Sequence, residues 1–497
     1  MLFQSLKPLL KSSFLLVIAT LVSRLSGLIV LPIVARLLGP SSLGLFSLLQ
    51  NTAQTADMLS RIGVDAAMHR NGAQYESLDR QSVGRLLGVG SCLIIIAGIF
   101  IALFICLNAQ LVASLVLGDA KAAQWLNLTA LTVVLTVAFT PSWICLIALH
   151  AFKAYTILTS LSSIVGALLT LLLTYRFGIA GALWGLAGTA LIQFISGWCL
   201  TLPILRQKKI SLRCDQFIAE SKSLLGFGLP FYFGNFLSGF ILLPLLGYVG
   251  KVGGLDQLGH LRVAQSLSQI VSFLPTAVAP VIISSLSATL VADLNTHQRI
   301  KSLSLRCLWL LMLFFSLMIC LNLDGVIKLL FSSKYLEAIV LSKIMIWMVA
   351  INSLSGVFNQ YMVSAGKTHA IAVIQVFGLI ITVLIALLTV QHHGAMGLLL
   401  AQLVASIFTC SAYVRPSLSD LDQTEQRRIL YLFLISLLAI SLTFLPFSNI
   451  TNFWVCLVLS LILGVFILSI SAHWAFAENE REAFNSVIRK KIKGALK

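Results

Sequence analysis

The feature that most constrains this chain is a succession of long apolar runs joined by short polar connections. A helix needs about 20 mostly apolar residues to cross the hydrocarbon core of a bilayer. Measured with that ruler, the sequence predicts fourteen spans, at residues 12–37, 43–69, 84–108, 125–150, 155–175, 179–205, 223–250, 256–290, 304–323, 336–364, 368–390, 395–414, 429–447 and 452–474. The runs are continuous and do not alternate as the strands of a membrane barrel would, so every span is read as a helix. Composition gives the same answer. Of 497 residues 58% are hydrophobic and 10% charged, against about 25% charge in a soluble domain. That balance excludes a secreted disulfide scaffold, a nucleic-acid binder and a cytosolic enzyme. The nine cysteines are scattered, which offers neither a disulfide nor a metal framework, and no cofactor is predicted. The first run, from Ser12 to Ala35, is too long for the apolar core of a signal peptide and is read as a retained first span.

The net charge of +17 is read as a topology signal, because lysine and arginine concentrate in the short cytoplasmic loops of membrane proteins. With the N-terminus inside, and residues at the three positions at either end of a span counted with the adjoining connection, the inner connections and termini hold 24 of the 34 basic residues, the outer ones hold six (Arg36, Lys121, Arg176, Lys251, Lys328 and Lys334), and four remain within spans. An even number of spans with both termini cytoplasmic is predicted. The tail from Glu478 to Lys497 ends in a basic cluster that suits anionic lipid headgroups.

The chain also resembles itself at an offset of about 215 residues. Arg36, Gly39 and Leu43-Gly44 fall in register with Lys251, Gly254 and Leu258-Gly259, while Gly178 and Gly181 recur as Gly394 and Gly397. These matches predict duplication of a six-span unit. Six is even, so both copies enter the membrane in the same direction, as parallel repeats related by an axis along the membrane normal. The predicted fold is therefore an all-α polytopic membrane protein of about 14 transmembrane helices. An N-lobe spans residues 1–210 and a C-lobe 211–417, followed by two additional C-terminal helices over 418–476 and a basic cytoplasmic tail over 477–497.

Ionisable groups inside spans are costly and normally face an aqueous cavity or a partner. Asp57, Arg61 and Asp65 lie four residues apart on the second span, with His69 extending the line. Two readings stand: an internally neutralised ladder, or the lining of a cavity. Arg24 has no acidic residue on its own span and is paired either with Asp57 or Asp65 or with a ligand. Arg262 either reaches the outer surface or points inward, whereas Lys343 is read as snorkelling. Arginines on spans one, two and eight would surround a cavity with planar forks suited to phosphate or carboxylate oxygens, which makes the expected substrate an anion. Pro32, Pro230 and Pro244 interrupt spans and are candidate hinges.

The stretches Ser23-Arg24-Leu-Ser-Gly27, Val34-Ala35-Arg36-Leu-Leu-Gly39-Pro40 and Leu43-Gly44-Leu-Phe46 resemble the first-helix signature of polysaccharide exporters, the Wzx-type flippases of the MOP superfamily. Leu59-Ser-Arg61-Ile-Gly63 through His69-Arg70 and the segment from Gly178 to Gly188 are similar to family patterns as well. Related lipid II flippases carry further cations on the first helix, where this chain has Val30. The resemblance implies movement of a polyprenyl-diphosphate-linked oligosaccharide, such as an O-antigen unit for lipopolysaccharide, across the bacterial inner membrane by alternating access. Arg24, Arg61 and Arg262 would then bind substrate, and Asp57 and Asp65 would couple transport to a proton or sodium gradient. Membrane lipids and a polysaccharide polymerase are the implied partners. The runner-up is a multidrug or cation antiporter of the same superfamily. A membrane glycan polymerase or ligase is disfavoured, because the largest outer loop is the stretch from Asn108 to Gln124.

Overall fold

The computed structural model describes residues 2–75, 80–118, 122–292, 294–364, 368–418, 423–444, 453–476 and 480. Among them the regular structure is entirely helical. The helices are α1 (Leu2–Arg61), α2 (Val64–Tyr75), α3 (Arg80–Leu107), α4 (Ala109–Leu111), α5 (Ala123–Ala148), α6 (Phe152–Gln207), α7 (Phe217–Ala292), α8 (Leu294–Leu330), α9 (Ala338–Ser364), α10 (Thr368–Leu418), α11 (Gln423–Phe444) and α12 (Phe453–Ala475). Ten of these are long and apolar enough to cross a membrane. Four of the ten, α1, α6, α7 and α10, are each broken once by a glycine, and dividing them there gives about fourteen helical segments, as expected. The basic tail beyond Glu480 lies outside the described residues.

At these four glycines the self-resemblance becomes geometry. Gly39 has φ 75° and ψ 173°, and its counterpart Gly254 has φ 81° and ψ 165°. Gly178 has φ 58° and ψ −134°, and its counterpart Gly394 has φ 52° and ψ −127°. Only glycine enters such left-handed and mirror-β regions without a steric penalty, so each site can turn a helix back on itself in one residue. The reversal is visible in the neighbours. A β-carbon on Gly181 would strike the carbonyl of Leu173, and one on Gly397 would strike that of Thr389. Both members of the first pair move by 216 residues to give the second.

The chain divides into two compact units. The first holds residues 1–266, 330–338 and 379–401. In it α1 packs on α3, α5 and α6, and Phe139, Leu146 and Leu158 form a buried cluster joined by Trp143 and Tyr155. The second holds residues 267–329, 339–378 and 402–497. Its core gathers Leu305, Trp309, Phe358, Tyr361 and Leu432. Arg306, 1% exposed, pairs there with Glu425 and Glu480, both at 3.1 Å, and donates to the Ala475 carbonyl at 2.5 Å. One guanidinium thereby ties α8 to α11 and to the end of α12. Lys343, read from sequence as snorkelling, donates to the Thr443 carbonyl at 2.6 Å. A lysine at that place neutralises the negative C-terminal end of α11.

The expected second span from 43 to 69 is not continuous. Helix α1 ends at Arg61, Ile62 and Gly63 take positive φ values of 48° and 73°, and α2 starts afresh at Val64. The cause is a close approach: β-carbons on Gly63 and Gly228 would each collide with the other residue's backbone. Helix α2 itself is not among the apolar candidate spans.

Candidate functional site

All three arginines singled out from sequence lie in the first unit, at three depths. At 1.5 Å per residue, Arg262 lies about 12 Å beyond the Gly254 turn, Arg24 about 22 Å before the Gly39 turn, and Arg61 about 33 Å beyond Gly39. These are distances along the helices from the two turns, to be set against a hydrocarbon core about 30 Å thick.

The end carrying the Gly39 and Gly254 turns is closed by a reciprocal contact. A β-carbon on Gly44 would strike the Leu255 carbonyl, and one on Gly259 would strike the Pro40 carbonyl. Gly44 and Gly259 are counterparts across the repeat, and so are Pro40 and Leu255. The contact therefore obeys a local pseudo-two-fold, with the same two surfaces meeting each other as in an isologous interface. Two further contacts follow the same exchange. Gly118, at φ 70°, sits against Gly247 and Lys251, while the segment around Ser332, at φ 91°, meets the end of the first arm of α1. There Arg36 Nε donates to the Leu330 carbonyl at 2.8 Å, and Tyr335 Oη donates to the Ala35 carbonyl at 2.8 Å. Burial, then the nearby Asp256, holds the Tyr335 hydroxyl above the usual tyrosine range, so it stays protonated and remains a donor. His260 packs edge-on against the same ring and lies 3.3 Å from Glu337.

Directly beneath this closure lies a polar cluster. Arg262 Nη2 donates to Gln50 Oε1 at 2.7 Å, which turns its guanidinium toward α1. Its Nε is buried and has no hydrogen-bond partner. No carboxylate forms an ion pair with Arg262 among the described residues, so its charge is held by a neutral amide. Beside it Ser47, Asn51, Gln265, Leu246, Leu258 and Leu261 line a space of about 10 Å³, the room of a single water.

A second cluster closes the opposite end of the arm. Arg61 is paired with Asp57 and lies 4.0 Å from Asp65 across the helix break. Asp57 also accepts from Thr140 Oγ1 at 3.1 Å, and the Arg61 guanidinium lies 5.4 Å from the centre of the Trp143 ring. His69 approaches the same indole at 5.6 Å. The three charged residues and His69 thus gather as the sequence spacing suggested, but around Trp143 and not along one continuous helix face. Asp65 turns its Oδ1 to the Ala66 amide at 2.9 Å, in the first turn of α2, where a carboxylate opposes the positive end of the helix. Burial holds the His69 ring below the usual histidine range, against the pull of Asp65 and with the help of Arg61.

Arg24 is half-buried on the first arm of α1. Of the candidate hinges, Pro32 is buried and Pro244 exposed. The breaks in α1 and α7 fall at Gly39 and Gly254, with helical dihedrals at both prolines. The side chain of Pro230 lies outside the described residues. Sequence reading missed Gln50, Thr140 and Trp143, which bear no charge, and Arg306, which stands at the edge of a predicted span.

Three comparisons bear on this geometry. No curated protein matches the chain. Among solved structures it is similar to the lipid II flippase MurJ in an inward closed conformation, with a TM-score of 0.70 at 14% identity over 92% of this chain and 97% of that one. It is also similar to an inward-facing multidrug resistance MATE transporter of the MOP superfamily, at 0.59 and 15% identity over 83% and 95%. A MOP superfamily transporter from Pyrococcus furiosus, described as having a binding pocket of reversed polarity, matches at 0.59 and 14% identity over 86% and 96%. At such identities the likeness establishes the fold that the chain shares with these structures. A family model described as polysaccharide biosynthesis protein matches residues 9–286, more than half of the sequence, and the chain therefore belongs to that family.

Proposed function

We propose that this protein is a flippase that moves a polyprenyl-diphosphate-linked oligosaccharide, a repeat unit of O-antigen or another polysaccharide, from the cytoplasmic to the outer face of the bacterial inner membrane. It makes and breaks no covalent bond. Arg262 carries the reading. A guanidinium inside a membrane protein, held among the described residues by a neutral amide and with Nε lacking a partner there, has charge and donor capacity left for an anion, and a diphosphate matches its planar fork. Arg24 and Arg61, at their successive depths, offer the phosphates further cationic stations in one cationic cavity. Alternating access exposes that cavity to each face in turn, and the Gly44–Gly259 contact is the closure that must part for release. Pro32, Pro230 and Pro244 are the points at which the helical arms yield during the cycle, since a proline inside a helix frees a carbonyl and weakens the ladder, while the standing breaks stay at Gly39 and Gly254. Asp57 and Asp65 are the groups through which a proton or sodium gradient acts, because neutralising either would loosen Arg61. The termini are cytoplasmic, and a polysaccharide polymerase is the downstream partner.

Native mass spectrometry of the purified protein tests the reading. The wild-type chain is expected to retain a lipid-linked oligosaccharide, and Arg262→Gln to lose it about tenfold or more, the effect of removing one charge-assisted contact of about 1.5–3 kcal/mol. Retention of cationic drugs in its place, undiminished in Arg262→Gln, would establish the antiporter reading instead.

A further inference from the structure

Outside the arginine clusters, the segment that links α6 to α7 has a feature that the transport reading does not use. From Ile210 to Cys214 the chain has no helix of its own and lies as a strap along α3. A β-carbon on Gly84 would strike the Ser211 carbonyl, one on Gly88 would strike Arg213, and the Arg213 amide donates to the Gly84 carbonyl at 3.2 Å. Gly84, Gly88 and Cys92 are spaced by four residues and so share one face of α3. The two glycines let the strap descend onto the helix, and the next position along that face carries a thiol. There Cys92 Sγ and Cys214 Sγ lie 3.3 Å apart, though 122 residues separate them in sequence. Ile210 is buried beneath the strap, Arg85 of α3 meets Glu220 of α7 at 3.6 Å, and Lys208 is fixed to the Leu149 carbonyl at 2.9 Å. The sulfurs are thus brought together by a docked backbone and not by two wandering side chains. No other two cysteine sulfurs are in contact among the described residues. Cys214 is exposed and Cys92 half-buried, so an aqueous reagent reaches the pair from the strap side.

We propose that Cys92 and Cys214 form a redox-active dithiol, which a peroxide-class oxidant converts to a disulfide that fastens the strap to α3. The Cys214 thiolate, the accessible nucleophile, attacks one oxygen of hydrogen peroxide. The O–O bond breaks, Cys214 becomes a sulfenic acid, and the departing hydroxide takes up a proton as water. The Cys92 sulfur then attacks Cys214 Sγ. The S–S bond forms, the S–O bond breaks, and a second water leaves with the Cys92 proton. Two electrons have passed from the thiols to the peroxide oxygens, and exchange with a dithiol reductant returns the pair to its reduced form. A disulfide in a reducing compartment is transient and serves to sense or regulate. This one would pin the linker through which α7 is joined to the helices before it. The regulatory half of the proposal, slower transport in the oxidised form, rests on the flippase reading, whereas the thiol chemistry does not.

The test treats the purified full-length protein in lipid nanodiscs with hydrogen peroxide, then digests it for peptide mass spectrometry. The expected product is one cross-linked peptide pair joining Cys92 to Cys214, lighter by two hydrogens and released by dithiothreitol. It should be absent in Cys92→Ser and in Cys214→Ser, and unchanged in Cys199→Ser, which alters another exposed thiol. Absence of the link in the wild type, or peroxide oxidation that halts at Cys214 with Cys92 unmodified, overturns the dithiol. In vesicles supplied with lipid-linked oligosaccharide, oxidation is expected to remove most transfer in the wild type, reversibly, and none in Cys214→Ser. Equal transfer by linked and reduced protein overturns the regulatory role. A reduced wild-type protein that transfers nothing counts against the flippase reading and leaves the peptide result to decide the dithiol.

Discussion

At the scale of single residues, the two polar clusters differ in how they are neutralised. Among the described residues Arg61 has two carboxylates and an indole around it, whereas Arg262 has one amide. The spacing of Asp57, Arg61 and Asp65 made the first legible in sequence. Gln50 was not, because nothing in a glutamine on an apolar helix announces an arginine 212 residues away. His69 gives a pH-dependent prediction. Burial lowers the proton affinity of its ring, so the neutral form is favoured by folding. A depressed histidine contributes stability above its unfolded value of about 6.5 and loses it as pH falls below that. Thermal unfolding in detergent is therefore expected to shift to lower temperature on acidification from about pH 7 to 5, with a shallower dependence in His69→Gln. Equal slopes for the two proteins would show that the ring does not take part.

At the scale of helices, the glycine turns were legible as a repeat and the helix break at Ile62–Gly63 was not. A pattern of residues can show that Gly39 and Gly254 correspond. It cannot show that Gly63 will be pressed against Gly228, because that contact depends on where α7 comes to lie. The same limit hid the Cys92–Cys214 pair and the buried role of Arg306, whose acidic partners lie on α11 and beyond α12. The reciprocal closure at Gly44 and Gly259 yields a quantitative expectation. Gly44→Val and Gly259→Val should each cost about 1–3 kcal/mol by overpacking a site with no room. Because both wedge open one contact, the double variant should cost clearly less than the sum of the two. Denaturation of the three purified variants measures this, and strict additivity would show that the two glycines act separately.

At the scale of the whole molecule, the positions 215 residues apart that match in backbone at the Gly39 and Gly254 turns part company in chemistry. Advancing 215 residues carries Gln50 to Gln265 but Ser47 to Arg262. The symmetric closure thus sits above a cluster in which Arg262 carries a charge and its counterpart Ser47 does not. If the charge matters more than which copy supplies it, moving it across the axis should preserve binding. Ser47→Arg combined with Arg262→Ser is expected to recover part of the lipid-linked oligosaccharide retention that Arg262→Ser alone loses, as read by native mass spectrometry. No recovery would tie the role to the Arg262–Gln50 geometry. The closure also has a genetic consequence. What Gly44 and Gly259 touch is a carbonyl oxygen, which every amino acid carries, so no replacement at Leu255 or Pro40 can make room for a larger neighbour. A suppressor screen begun from Gly44→Val should return revertants at Gly44 itself or changes elsewhere that re-aim a whole helix, and none at the residue that is struck.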